Sequence, residues 1–294
     1  MNQRERGFLL LTSHLGDPER KVLTAAQLRT LSLRMRDMAQ PEADRDLTES
    51  DFIRLGCDRA FSERVIALLN QEALLDSYLA SGATQNCVPI TRVSDCYPLL
   101  LRQRLGLDSP GCLWARGDVE ILNTPAISLV GCRELNGPNR EFAKAVGHRA
   151  AEQGLTLVSG NARGADRAAQ EACLEAGGRV VSIVADSLNR IPPRNLLYLS
   201  EDGFDEEFSA QRALSRNRCI HTLGRMVFVA QSDLQKGGTW SGTVKNLRFG
   251  WSPVVCFRDG SESASQLEKM GAYQIGMEDL RDLTSLQMPD NLLW

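Results

Sequence analysis

The stretch "LVSGNARGADRAAQEACLEAGGRVVSIV", residues 157–184, decides the fold. An apolar run ends at Gly160. An alanine-rich helix is predicted from about Asp166 and stops at Gly177 and Gly178, and a second apolar run, "RVVSIVA", follows at once. Strand, glycine turn, helix and strand in that order describe one unit of a parallel sheet. The turn also has the residues of a phosphate site. Gly160 and Gly164 clear space for backbone N–H groups at a helix N-terminus, Arg163 supplies a fork of donors, and Asp166 in the first helical turn suits the dipole and can orient an arginine. "GNARG" lacks the G-x-G-x-x-G of a dinucleotide fingerprint.

Working outward, the pattern repeats. "AISLVG" is an apolar run ending at Gly131, followed by a helix from about Asn139 to Gln153. "RMVFVA" and "PVVCF" are further apolar runs. Uninterrupted apolar strands between helices argue for a parallel sheet covered on both faces, with its ligands at the carboxyl ends of the strands. Three strand ends carry suggestive turns: Gly131, Cys132 and Arg133; residues 160–166; and "QKGGTWSGTVKNL". The last reads as a flexible loop of Gly237, Gly238 and Gly242, with Ser241 and Thr243 as hydroxyls and Lys236 and Lys245 flanking. It lacks the G-K-[ST] ending of a P-loop. Glycine after a strand is also ordinary turn chemistry, so the weight lies in three such turns converging on one edge.

Residues 208–232 contain no Asp or Glu but hold Arg212, Arg216, Arg218 and Arg225. Arg216 and Arg218 flank Asn217. Residues two apart on a helix diverge, so both reach phosphates only at a helix start. The preceding segment, residues 186–217, interrupts the strand-helix rhythm and reads as an excursion over the sheet edge. Residues 7–85 read as helical. Leu28, Leu31 and Met35 mark one apolar face. Thr48 and Asp51 give a cap signal ahead of Phe52 and Leu55. One helix is predicted from Ser62 to Gly82, with Val65, Leu68, Leu69 and Leu75 as its stripe. Residues 83–95 are linker-like.

Composition sets limits. The 294 residues allow one large domain or two medium ones, and 43% hydrophobic with 24% charged residues is ordinary for a globular chain. The net charge of −3 means that any nucleic-acid site must be a local basic patch. Of 34 basic residues five are lysine, leaving 34 − 5 = 29 arginines, which suits bidentate phosphate binding but also a GC-rich genome. The eight cysteines show no C-x-x-C spacing and, with three histidines, build no zinc motif. They read as small buried residues of a reducing cytosol. Cys132, near a helix N-terminus and beside Arg133, has the setting of a lowered thiol pKa. His221 reads as a packing or capping residue. The longest apolar run near the N-terminus is too short for a signal peptide, and no stretch approaches a membrane span.

"AISLVGCRE", residues 156–184 and "SRNRCIHTLGRMVFVAQSDLQKGGTWSGT" together resemble, in order, the signature regions of the DprA/Smf DNA-processing family. The lead-in "CYPLLLRQRLGLDSPGCLWARGDVEIL" and the closing helix "SASQLEKMGA" are similar as well, so the resemblance spans about residues 90–275. It implies an extended Rossmann-like parallel sheet with helices on both faces (residues 125–294), a linker and lead-in (86–124) and a small helical module, SAM-like or helix-hairpin (1–85). The chain ends at Trp294, so the C-terminal winged helix that many relatives carry is expected to be absent. The resemblance implies no catalytic activity, no metal and no cofactor. It also implies a cytoplasmic homodimer that binds single-stranded DNA, protects incoming or exposed strands and helps load the RecA recombinase. Carried over by motif, the DNA and phosphate contacts fall on Gly131, Arg133, Gly160, Arg163, Gly164, Asp166, Arg216, Asn217, Arg218, Lys236, Ser241, Gly242, Thr243 and Lys245. Cys132 replaces the family's serine, and "QKGG" replaces its acidic lead-in. A second reading is a nucleotide-binding or nucleotide-sensing protein of the same superfamily, and a third is an adaptor that recruits a partner through its helices.

Overall fold

The computed structural model describes residues 1–36, 47–284 and 286. Nine strands form one sheet: β1 (Val88–Thr91), β2 (Cys112–Arg116), β3 (Ala126–Val130), β4 (Thr156–Ser159), β5 (Arg179–Val184), β6 (Leu197–Glu201), β7 (Val227–Val229), β8 (Val254–Phe257) and β9 (Tyr273–Ile275). Their spatial order is β1-β2-β6-β5-β4-β3-β7-β8-β9. From β6 to β9 every pairing is parallel. β2 joins β6 and β1 joins β2 antiparallel. The strand order reverses at β3, so a crevice opens between the carboxyl ends of β3 and β7.

Both faces are covered, which is why strands such as "AISLV" lack a polar stripe. On one face α7 (Gly137–Glu152) and α8 (Ala165–Glu175) lay Phe142, Val146, Ala168 and Cys173 over Leu129, Leu157 and Phe228. On the other, α6 (Leu99–Leu105), α9 (Ala210–Leu223) and α11 (Glu262–Lys269) bring Leu101, Ile220 and Leu267 onto Val158, Val181 and Val227. α10 (Gly237–Phe249) follows β7.

The N-terminal helices are α1 (Gln3–Thr12), α2 (Ala25–Arg36), α3 (Glu49–Arg54), α4 (Arg59–Leu69) and α5 (Glu72–Thr84). Leu31, Phe52, Val65 and Leu68 form a core of their own. Leu9, Leu10, Leu75 and Tyr78 instead join the core of the sheet. There Tyr78, Trp114 and Phe204 pack with ring centroids 4.8–5.3 Å apart.

Several expectations need correction. The helix predicted from Ser62 to Gly82 is two helices. Asp58 caps α4, Ser62 lies inside it bonded back to the Asp58 carbonyl, and the chain breaks at Asn70 and Gln71. Gly82 is no stop but lies within α5, where a Cβ would overlap the Trp114 ring. Met35 is exposed rather than on the apolar face, and residues 37–39 of that stretch lie outside the described residues. The Thr48–Asp51 capping box is present. The linker-like segment contains β1, and the lead-in contains β2 and α6. Pro89 disguises β1, yet proline is tolerated there because β1 is an edge strand. The excursion over 186–217 contains β6, a strand paired on both sides. Residues 287–294 lie outside the described residues.

Candidate nucleic-acid interface

The site is built from two turns that interlock. Gly164 has φ +88°, and a Cβ there would run into the carbonyl oxygens of Cys132 and Arg133. Only glycine lets the turn after β4 close against the turn after β3. The Ala165 N–H then donates to the Cys132 carbonyl at 3.2 Å. At Gly160 a Cβ would overlap both the Arg216 guanidinium and the Asp166 carboxylate, so the bare Cα admits these two side chains side by side.

The result is a cleft of about 710 Å³. Gly131, Arg133, Glu134, Arg163 and Asp166 line it from the β3 and β4 turns. Arg216, Asn217 and His221 enter from α9, and Asp233, Lys236, Gly237, Gly238 and Thr239 from the segment after β7. This last segment is not the flexible loop expected. Gly237 opens α10, a helix of 13 residues whose N-cap, Lys236, makes no side-chain capping bond. A helix N-terminus without a side-chain cap therefore borders the cleft, a setting that favours anions.

Four cations, Arg133, Arg163, Arg216 and Lys236, face three acids, Glu134, Asp166 and Asp233. The cleft is thus only mildly basic. Arg163 is not the arginine that Asp166 orients. It reaches out to Glu134 at 3.1 Å in an exposed pair. Asp166 accepts the Ala162 N–H at 3.2 Å and lies beside Arg216. Burial pushes the Asp166 carboxyl above its ordinary range, with Arg216 pulling it back. Burial likewise lowers the Arg216 guanidinium, whose Nε is buried without a partner. Asn217 Nδ2 donates to the Gly238 carbonyl at 3.2 Å, tying α9 to the start of α10.

The structure does not gather the remaining expected residues. Arg218 diverges from Arg216 because both lie mid-helix in α9, not at its start. It pairs with the buried Glu201 at 2.7 Å and donates to the Asp108 carbonyl at 3.0 Å. Ser241, Gly242, Thr243 and Lys245 lie further along α10, off the cleft lining. Ser241 bonds back to the Gly238 carbonyl, and Gly242 packs on His221. Thr243 is fully buried, and Lys245 is exposed elsewhere on the helix. Cys132 is no activated thiol: burial, with Asp233 adding to it, pushes it up to about 11.

Sequence reasoning did not place Glu134, Asp233, Thr239, Phe208 or Leu214 at the site, and it read His221 as a packing residue, which it is, without placing it in the cleft. Phe208, just before α9, and Leu214 on it are exposed apolar side chains that line the cleft. His221 is 1% exposed and bonded to Asn246, and burial followed by Arg216 lowers its pKa to about 3. Helical spacing was the available signal, since Leu214, Asn217 and His221 recur at intervals of three and four. Among the described residues no cluster of three or more His, Cys, Asp or Glu is placed to hold a metal, and no helix is long and apolar enough to cross a membrane.

Comparison with known proteins gives a consistent picture. The model of the DNA recombination-mediator protein A family matches residues 89–283. The DNA processing protein DprA of Streptococcus pneumoniae is 31% identical over 158 residues, which cover 49% of this chain and 54% of that relative. The chain thus spans about half the length of this curated relative. The crystal structure of the Streptococcus pneumoniae DprA superimposes with a TM-score of 0.71 at 24% identity, covering 92% of this chain and 96% of that one. The Helicobacter pylori DNA processing protein A, solved for insights into its single-stranded DNA binding mode, gives 0.55 at 24% identity, covering 66% and 92%.

Proposed function

This chain belongs to the DNA recombination-mediator protein A family, and from that premise we propose that it binds single-stranded DNA in the cleft where β3, β4 and β7 end. One observation carries the reading: at a single switch point, Arg133, Arg216 and Lys236 meet the uncapped N-terminus of α10. Backbone phosphates would bind Arg133 and Lys236 at the rim, Arg163 after exchange from Glu134, and the N–H groups of Gly237 and Gly238. The Helicobacter pylori relative's DNA binding supports the reading by kinship. Protection of strands, loading of a RecA-type recombinase and homodimerisation extend the same proposal, and no catalytic step is part of it.

Binding would be largely independent of sequence and would weaken with salt, by about 0.7 in log–log slope per phosphate contact. The test is the affinity of a labelled oligonucleotide across a salt series. Arg133→Ala with Lys236→Ala should flatten the slope by roughly one to two while leaving thermal stability nearly unchanged. An affinity indifferent to salt, or a double variant that binds like the parent, would overturn the proposal. The cleft volume also suits a free nucleotide. A stoichiometric nucleotide released on denaturation would favour that reading instead.

A further inference from the structure

A second basic surface lies on the N-terminal helices and shares no lining residue with the cleft. Asp17, Arg20 and Lys21 from the turn after α1, Arg64 and Leu68 from α4, and Leu74 from α5 border a groove of about 230 Å³. Three cations there face one acid. Arg20 is 6% exposed, and the acceptors it meets are neutral: Gln71 Oε1 at 2.6 Å and the carbonyls of Leu10, Ser13 and Leu68. Its hydrogen bonds are taken but its charge is not balanced. Burial lowers the guanidinium, and Asp17 opposes that shift. A buried charge without a counter-ion is costly. Lys21 is exposed and unpaired among the described residues. The Arg64 guanidinium lies 5.3 Å over the Phe61 ring, with its Nε buried and without a partner. Asp17 is already used in part, since its Oδ1 accepts the Glu19 N–H at 3.0 Å.

Leu68 and Leu74, the latter 39% exposed, make the groove apolar between these charges. Small-molecule sites span roughly 300–1,000 Å³, so a groove of this size suits one or two side chains of a larger partner. A DNA strand fits it poorly. No aromatic side chain lines the groove to stack a base. Asp205 stands beside Gly16, one residue from Asp17, and opposes a continuous phosphate chain. A peptide with acidic residues on either side of an apolar one meets every need. Its carboxylates pair with Lys21 and Arg64 in the field of Arg20, and its apolar side chain rests on Leu68 and Leu74.

We propose that this groove docks a partner protein through an acidic segment with an apolar centre. The proposal is independent of DNA binding in the cleft. The experiment is fluorescence anisotropy of the full chain with three labelled peptides: Glu-Glu-Leu-Leu-Glu-Glu, Glu-Glu-Ser-Ser-Glu-Glu and Lys-Lys-Leu-Leu-Lys-Lys. The first should bind about tenfold more tightly than either of the others. Lys21→Glu with Arg64→Glu should weaken that binding by about tenfold at an unchanged melting temperature. Lys21→Glu alone changes only an exposed side chain, keeps the test open if the double variant fails to fold, and should cost about threefold to fivefold. Arg133→Ala with Lys236→Ala, in the cleft, should leave peptide binding within about twofold. No binding of the first peptide, equal binding of the first and either of the others, or loss of binding in the cleft variant overturns the proposal. A groove variant that keeps the peptide and loses oligothymidine assigns the groove to phosphates and overturns it as well.

Discussion

Along α9, Arg212 and Arg218 differ from Arg216 in what their donors meet. Arg212 donates to the carbonyls of Ala185, Glu206, Glu207 and Glu201, tying the segment after β6 to the ends of β5 and β6. Arg218 holds Glu201. Arg104, beneath the end of α9, donates to the carbonyls of Thr222 and Gly224. These guanidiniums are engaged by acceptors of the protein and act as staples. Arg216 lines the cleft, and its buried Nε has no partner. Residue type and local charge are the same in both sets. What separates them is whether the fold already uses their hydrogen bonds, and an unused buried donor is costly unless something else takes it.

The contrast can be broken most forcefully at Glu201. Arg218→Ala would strand that carboxylate, which is 8% exposed, and should lower stability by about 3 kcal/mol in denaturant titrations while leaving DNA affinity within about twofold. Unchanged stability, or a large loss of binding, would put Arg218 in the wrong set.

His221 supplies the next largest effect. Its folded pKa of about 3 lies below the unfolded value of 6.5, so the unfolded chain takes up a proton that the folded chain refuses. Stability from this ring is complete above pH 6.5 and is lost as pH falls toward 3, at about 1.4 kcal/mol per pH unit. Between pH 7.5 and 4.5 the parent chain should lose roughly 2–3 kcal/mol more than His221→Gln. Equal losses would mean that the ring is charged in the folded protein.

The smallest effect lies at the exposed pair of Arg163 and Glu134. Such pairs contribute under about 1 kcal/mol, so Glu134→Gln should release Arg163 with little change in stability. It should tighten DNA binding by about twofold to fivefold at low salt. A weaker complex would show that Glu134 is a contact rather than a competitor.

The central strands and their helices were legible because a short apolar run with no polar stripe, bounded by glycine turns, fits a strand buried on both faces and little else. The edge was not. β1 contains Pro89, β9 is three residues long, and β6 lies between prolines and a cluster of acids. All three owe their strand state to neighbours far along the chain. At the cleft, the Gly131, Gly160 and Gly164 turns were readable because close approach demands glycine. The start of α10 looked like a loop because its glycines hide a helix, and the divergence of Arg216 from Arg218 required knowing that α9 begins at Ala210. The nearness of Asp166 to Arg216, 50 residues away, has no local trace.

The packing of Tyr78 on Trp114 and Phe204 also has a practical side. A chain cut after residue 85, where the composition changes, would uncover Trp114 and the part of the sheet core that Leu9, Leu10, Leu75 and Tyr78 cover. The truncated sheet would present a greasy edge to its neighbours and should come out of the cell as aggregate. Anyone dissecting this molecule would do better to weaken the cleft by point substitution and keep the helices attached.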